Sequence, residues 1–193
     1  MPVAMAKRAV NDDPHCGDEC AYWQNGGRTT LCMVDGLGHG ERAETAARAA
    51  VDYVAHHLWE PLADVFAGCD SAIRHTVGVV MGIAIIDEGA GMLTYAGIGN
   101  TRATIIADVA ENATGLSSYP GIVGGGYRTL SPEVAPLMPD ALVLMYTDGI
   151  RERIDLSRYD GGFRADLQRL AEKIIEDWCR GTDDVAVLLY RGK

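Results

Sequence analysis

Two rhythms of hydrophobic and polar positions alternate along this chain. Residues 2–10, 19–24, 28–34, 77–87, 92–97, 101–108, 141–147 and 185–190 are short apolar, β-branched or alternating runs that read as strands. Asn11-Asp12-Asp13-Pro14 makes a turn after the first run, and Asn25-Gly26-Gly27 a tight hairpin between the second and third. Residues 41–58 change period. Ala43, Ala46, Ala47, Ala50, Val51, Val54 and Leu58 recur near helical spacing, with Glu41 and Glu44 where the macrodipole favours negative charge. Pro61 suits the first position of a second helix running to about residue 75, with Leu62, Val65, Phe66, Cys69 and Ile73 on one face. A third helix is expected over 163–179, striped by Leu167, Leu170, Ile174, Ile175 and Trp178. Residues 113–119 form another strand in this reading, and 121–126, with four glycines, a mobile surface loop. Many strands with helices in separate blocks make an α+β fold of two antiparallel sheets with helices outside.

The 193 residues suit one domain, 1–193, large enough to bury a core without disulfides or a structural metal. A formal charge of −10 argues against a general binder of nucleic acid or anionic membrane. The longest apolar run, 77–86, is shorter than the roughly 20 residues of a membrane span. No secretory signal opens the chain, and five cysteines without framework spacing suit a reducing cytoplasm, so a cytoplasmic location is expected. His15, Cys16 and Cys20 supply only part of a zinc site, and half-buried strand cysteines are the better reading. Trp23, Trp59 and Trp178 fall on apolar faces as core or rim residues, and Arg8 and Arg28 read as solvated strand residues.

Chemistry concentrates where strands end. Val34-Asp35-Gly36-Leu37-Gly38-His39-Gly40 joins a buried strand to a helix, Thr147-Asp148-Gly149 ends another strand, and Gly181-Thr182-Asp183-Asp184 precedes the last. Each aspartate alone reads equally well as a turn residue. Three together point to an oxygen-rich site for Mg²⁺ or Mn²⁺. Two such ions about 4 Å apart can share a hydroxide that attacks phosphorus in line. No serine has the His and Asp partners of a nucleophile, and the glycine-rich loop lacks the lysine of a P-loop.

Taken in order, Asp-Gly-x-Gly, Gly-x-Gly-Asn-Thr-Arg, Thr-Asp-Gly and Gly-Thr-Asp-Asp resemble the motifs of the metal-dependent (PPM-type) serine/threonine protein phosphatases, and most closely the stressosome members of their SpoIIE-like branch. The resemblance implies a four-layer αββα sandwich with two Mn²⁺ or Mg²⁺ ions at one end. It implies that Asp35 bridges both ions, that Gly36 lends its carbonyl to one, and that Asp148 and Asp183 hold the other. Asp18 would bind the second ion directly or through water, and Asp184 would orient loops. The implied substrates are phosphoserine and phosphothreonine on STAS domains (sulfate-transporter and anti-sigma-antagonist domains) of the stressosome scaffold, whose dephosphorylation resets stress signalling.

Three departures stand out. Leu37 occupies the place of a histidine proposed as general acid in many members, so protonation of the leaving group falls to a metal-bound water. His39, two places on, is the alternative acid, or else a helix-entry or surface residue. Asn100 replaces an aspartate that serves a third ion elsewhere and otherwise reads as a hairpin turn residue. The phosphate-gripping arginine and large flap of eukaryotic members have no match. Two other readings stay open: a SpoIIE-like phosphatase of a free anti-anti-sigma factor, and a non-catalytic docking module on the same fold. The lack of an attached sensor or membrane segment favours the stand-alone scaffold phosphatase.

Overall fold

The computed structural model describes residues 2–108, 112–151 and 154–192. In chain order the elements are β1 (Val3–Arg8), β2 (Asp18–Asn25), β3 (Arg28–Gly36), α1 (Glu41–His56), α2 (Leu62–Ala72), β4 (Val79–Asp87), β5 (Met92–Ile98) and β6 (Arg102–Asp108). They continue with β7 (Asn112–Leu116), β8 (Gly121–Ile122), β9 (Gly126–Tyr127), β10 (Glu133–Pro136), β11 (Leu142–Tyr146), α3 (Gly161–Ala165), α4 (Leu167–Trp178) and β12 (Val185–Arg191). One five-stranded sheet, the terminal sheet, has the order β1-β12-β11-β6-β7; the other, the meander sheet, has β10-β5-β4-β3-β2. Neighbouring strands within both sheets pair antiparallel.

The continuous apolar runs exist because these strands are covered on both faces. Along β12, Ala186, Leu188 and Tyr190 point between the sheets, while Val185, Val187 and Leu189 point outward onto α4. In β3, Leu31 and Met33 join the inter-sheet layer, and Cys32 and Val34 face α1 and α2. Three apolar layers therefore separate four structural layers, the αββα arrangement that the motifs implied. Ala46, Ala47 and Ala50 of α1 are fully buried, and their small side chains let that helix lie close to the meander sheet. On the other side Leu170, Ile174 and Ile175 of α4 fill the outer layer.

Each flank of the sandwich is closed by a polar contact between edge strands. Lys7 of β1 pairs with Glu19 of β2 at 2.7 Å, and Glu133 of β10 accepts a hydrogen bond from the Ser117 amide, just beyond β7.

Several local expectations are corrected. The third helix is two, because Asp166 leaves helical geometry and its carboxylate caps α4 by accepting from the Arg169 amide at 3.2 Å. Residues 121–126 are a short hairpin rather than a mobile loop. Asp70 Oδ1 accepts from the Gly124 and Gly126 amides at 2.8 and 3.2 Å, and Val123 exchanges two backbone hydrogen bonds with Val79. Strand β10 was not foreseen. Trp59 is 64% exposed instead of packed, and Arg28 is partly buried, its guanidinium 5.3 Å from the Trp59 ring centre and donating to the Leu58 carbonyl at 3.0 Å. Cys16 and Cys20 are buried rather than half-buried, and Cys16 precedes β2 instead of lying on a strand. No helix among the described residues is long and apolar enough to cross a membrane.

Leu188, fully buried between the sheets, and Val134, 62% exposed on β10, give a direct test of this layering. Leu188→Ala is expected to cost about 3 kcal/mol in urea unfolding, whereas Val134→Ala stays within about 0.5 kcal/mol.

Candidate metal and phosphate site

The candidate acids come from both sheets and meet at one end of the sandwich. Asp18 opens β2 and Asp35 lies near the end of β3, directly opposite each other in the antiparallel register. Asp148 follows β11, and Asp183 and Asp184 precede β12, the neighbouring strand of the terminal sheet. Asp18, Asp35 and Gly36 thus sit inside strands rather than after them, which fixes their backbone in a ladder.

Six hydrogen bonds hold this junction. The Thr147 hydroxyl donates to Asp18 Oδ2 at 2.6 Å and accepts from the Ala186 amide at 2.9 Å, linking the two sheets. Asp184, only 2% exposed, accepts from the Val10 amide at 2.7 Å and the Gly17 amide at 2.6 Å, pinning the segment that leads into Asp18. Gly17 in turn accepts from the Gly36 amide at 3.0 Å. Asn100 donates from Nδ2 to Asp148 Oδ2 at 2.6 Å.

Glycines make the approach possible. A Cβ on Gly36 would stand 2.2 Å from the Ala43 carbonyl oxygen, and one on Gly149 2.0 Å from that of Asp184. The first turn of α1 therefore rests directly on the Gly36 backbone, and the two acid-bearing turns of the terminal sheet touch each other.

Burial is the largest influence on these carboxyls. It pushes Asp18 up to about 8, with Asp184, Asp183 and Asp148 adding repulsion and the Thr147 hydroxyl opposing. Burial likewise raises Asp35 to about 9, reinforced by Asp18, Asp148, Asp183 and Asp184. Asp183 is also raised by burial and by Asp148 and Asp184, while exposed His39 lies close enough to counter the shift. Among the described residues, none of the five aspartates pairs with a lysine, arginine or histidine.

The donor set fits a hard divalent cation: carboxylate and carbonyl oxygens, crowded, partly dry and lacking a counter-charge. As the side chains stand, no three His, Cys, Asp or Glu groups among the described residues form a ready-made ligand cluster. Asp148 is turned toward Asn100, and Asp184 is committed to two backbone amides. The His15–Cys16–Cys20 grouping gathers no site either, since His15 Nδ1 contacts Glu44 at 2.6 Å. The hairpin at 121–126 has its Gly124 and Gly126 amides occupied by Asp70 and offers no phosphate cradle there. Thr147 is the functional residue that sequence reading passed over; its place before Asp148 in Thr-Asp-Gly was the available signal.

The raised carboxyls set a pH dependence. In the unfolded chain both ionise near their ordinary value of 3.8, but in the metal-free fold they hold protons to about 8 and 9. Between those limits the folded state binds more protons, so stability is greatest at the acid side and falls as pH rises toward 9. Asp35→Asn removes one of these groups. Its melting temperature in chelator at pH 8 is expected to exceed that of the parent by roughly 2–6 °C, from about 1–2 kcal/mol of relieved repulsion. A lower melting temperature than the parent at every pH would refute this account.

Comparison with known proteins places the chain among phosphatases. The family profile "Stage II sporulation protein E (SpoIIE)" matches residues 25–193. Phosphoserine phosphatase RsbX of Bacillus subtilis (strain 168) is 25% identical over 140 residues, covering 70% of this chain and 67% of that protein. A solved structure reported under "The bacterial stressosome: a modular system that has been adapted to control secondary messenger signaling" aligns with a TM-score of 0.88 at 28% identity, covering 98% of each chain. RsbX in complex with magnesium shares the fold, with a TM-score of 0.81 at 17% identity over 99% of this chain and 94% of that one. With a family match over most of its length and this sandwich, the chain belongs to the SpoIIE family of PPM-type protein phosphatases.

Proposed function

We propose that the chain is a Mn²⁺- or Mg²⁺-dependent phosphatase that removes phosphate from serine or threonine on STAS-domain proteins of a stressosome scaffold, resetting the signal. The observation carrying this reading is the convergence of Asp18 and Asp35 from one sheet with Asp148 and Asp183 from the other. The names of its relatives, a phosphoserine phosphatase and a stressosome structure, support the substrate class.

In this reading Asp35, Asp148, Asp183, the Gly36 carbonyl and Asp18, directly or through water, would hold two divalent ions. When bound, they supply positive charge to the phosphoryl oxygens and lower the pKa of water. The chain's own residues aim the acids. Thr147 fixes the orientation of Asp18 through its hydroxyl, and Asn100 turns one oxygen of Asp148 so that the other remains free. Asp184 acts through the backbone, holding the segment that carries Asp18. His39, exposed and near Asp183, is a rim group able to carry a proton to or from the leaving oxygen. Phosphoryl transfer goes directly to water. The thiol of Cys16, which lies close to Asp18 and Asp184, is pushed up to about 11 by burial and supplies no thiolate.

Phosphate release from a phosphorylated STAS protein should require Mn²⁺ or Mg²⁺ and fall by at least about a hundredfold in Asp35→Asn. A parallel assay on a phosphorylated free anti-anti-sigma protein separates the two substrate classes. Absence of turnover in folded protein with either metal would favour the docking module. Thr147→Val should weaken metal binding about tenfold, measured by calorimetry, while much of kcat returns at saturating metal.

A further inference from the structure

A cavity lies between the first turns of α1 and the segment before β4. It measures about 330 Å³ and is lined by Glu41, Arg42 and Thr45 of α1 and by His75, Thr76 and Val77 of the segment before β4. Both walls are tied to the chain around Gly36. The Leu37 amide donates to the Gly78 carbonyl at 3.0 Å, and Gly36 pairs with Val79 across β3 and β4. Ala43 presses its carbonyl on Gly36, while the adjacent Arg42 is exposed and belongs to the cavity lining. The cavity thus lies close to Asp35-Gly36 along the chain, and Leu37, 39% exposed, is tied to Gly78, next to the lining residue Val77.

Arg42 shares with Arg8, Arg128 and Arg151 an exposed guanidinium that makes no ion pair with a described residue, but Arg42 is the one that lines this cavity. The chain has 27 acidic against 17 basic residues, yet Arg42 and His75 form no ion pair or hydrogen bond with any described residue. Glu41 is the carboxylate of the lining, and Arg74, beside His75, is engaged with Asp70 at 3.4 Å. A guanidinium left unpaired beside a strongly acidic centre suits an anionic group that arrives with the substrate.

We infer that this cavity is a specificity subsite for the polypeptide flanking the phosphorylated residue, with Arg42, assisted by His75, selecting an acidic side chain there and Leu37 contacting the intervening apolar chain. The inference rests on the phosphatase reading and narrows its substrate class to phosphoproteins with a carboxylate next to the phosphorylation site. The unpaired fork of Arg42 can take that carboxylate two-pronged, which a lysine cannot. Contact with the flank, away from the phosphorus, belongs to substrate binding and shows mainly in KM.

The test compares phosphopeptides carrying Glu or Lys beside the phosphoserine, with p-nitrophenyl phosphate as the substrate that has no flank. The parent is expected to prefer the Glu peptide by about tenfold in kcat/KM, chiefly through KM. Arg42→Glu should abolish or invert that preference, Arg42→Lys should retain part of it, and kcat/KM for p-nitrophenyl phosphate should change less than about twofold. Lys173→Glu, the same charge change on α4, should leave the preference intact and so exclude long-range steering. Equal kcat/KM for the two peptides in the parent, or equal losses on all three substrates in Arg42→Glu, would overturn the subsite while leaving the phosphatase standing. No hydrolysis of any of the three by metal-loaded parent would overturn both.

Discussion

Asp18 and Asp35 face each other across neighbouring strands, largely out of water, with Asp148, Asp183 and Asp184 near enough to raise their hold on protons. Keeping like charges together in a dry place costs stability, and much of the surrounding construction offsets that cost. Thr147 gives Asp18 a hydroxyl and is itself held by β12, so the linkage between sheets depends on an acid that would otherwise destabilise the fold. Asp184 shows the other solution: its carboxylate is as buried as Asp18's, but both oxygens receive backbone amides. The cluster therefore contains one acid with both oxygens satisfied by backbone amides, beside others that crowd one another with fewer partners.

The sandwich supplies rigidity for this arrangement. Strands covered on both faces cannot slip by one residue without driving the wrong side chains into two cores at once. Register then fixes Asp18 against Asp35 and keeps the ends of β11 and β12 together. Helix α1 is set by contact at Gly36 and Gly17, so the geometry of the acids and the seat of the helix are one property.

How much of this was legible follows from the range of each interaction. Runs such as Leu142 to Tyr146 announced strands because both faces are apolar, and Asp-Gly at strand ends announced the acids because that signal is local. Strand β10 was hidden by its short Glu-Val-Ala-Pro sequence, which reads as loop until β5 is seen beside it. The stripe from Leu167 to Trp178 was clear, yet Asp166, a cap placed just before it, was read as helix interior. The hairpin at 121–126 is ordered by Asp70, far away in sequence, and Thr147 meets Asp18 from the opposite sheet. Spacing carries no record of such partners.

The two flank contacts have a consequence for the company this chain keeps. An open sheet edge is a template on which another chain can add a strand. Here Lys7 and Glu19 place opposite charges side by side on one flank, while Pro136 removes a donor from β10 on the other. A strand arriving from a second molecule would have to strip water from those charges or lose a ladder hydrogen bond. At the β1, β2 and β10 edges the addition of a foreign strand is therefore disfavoured.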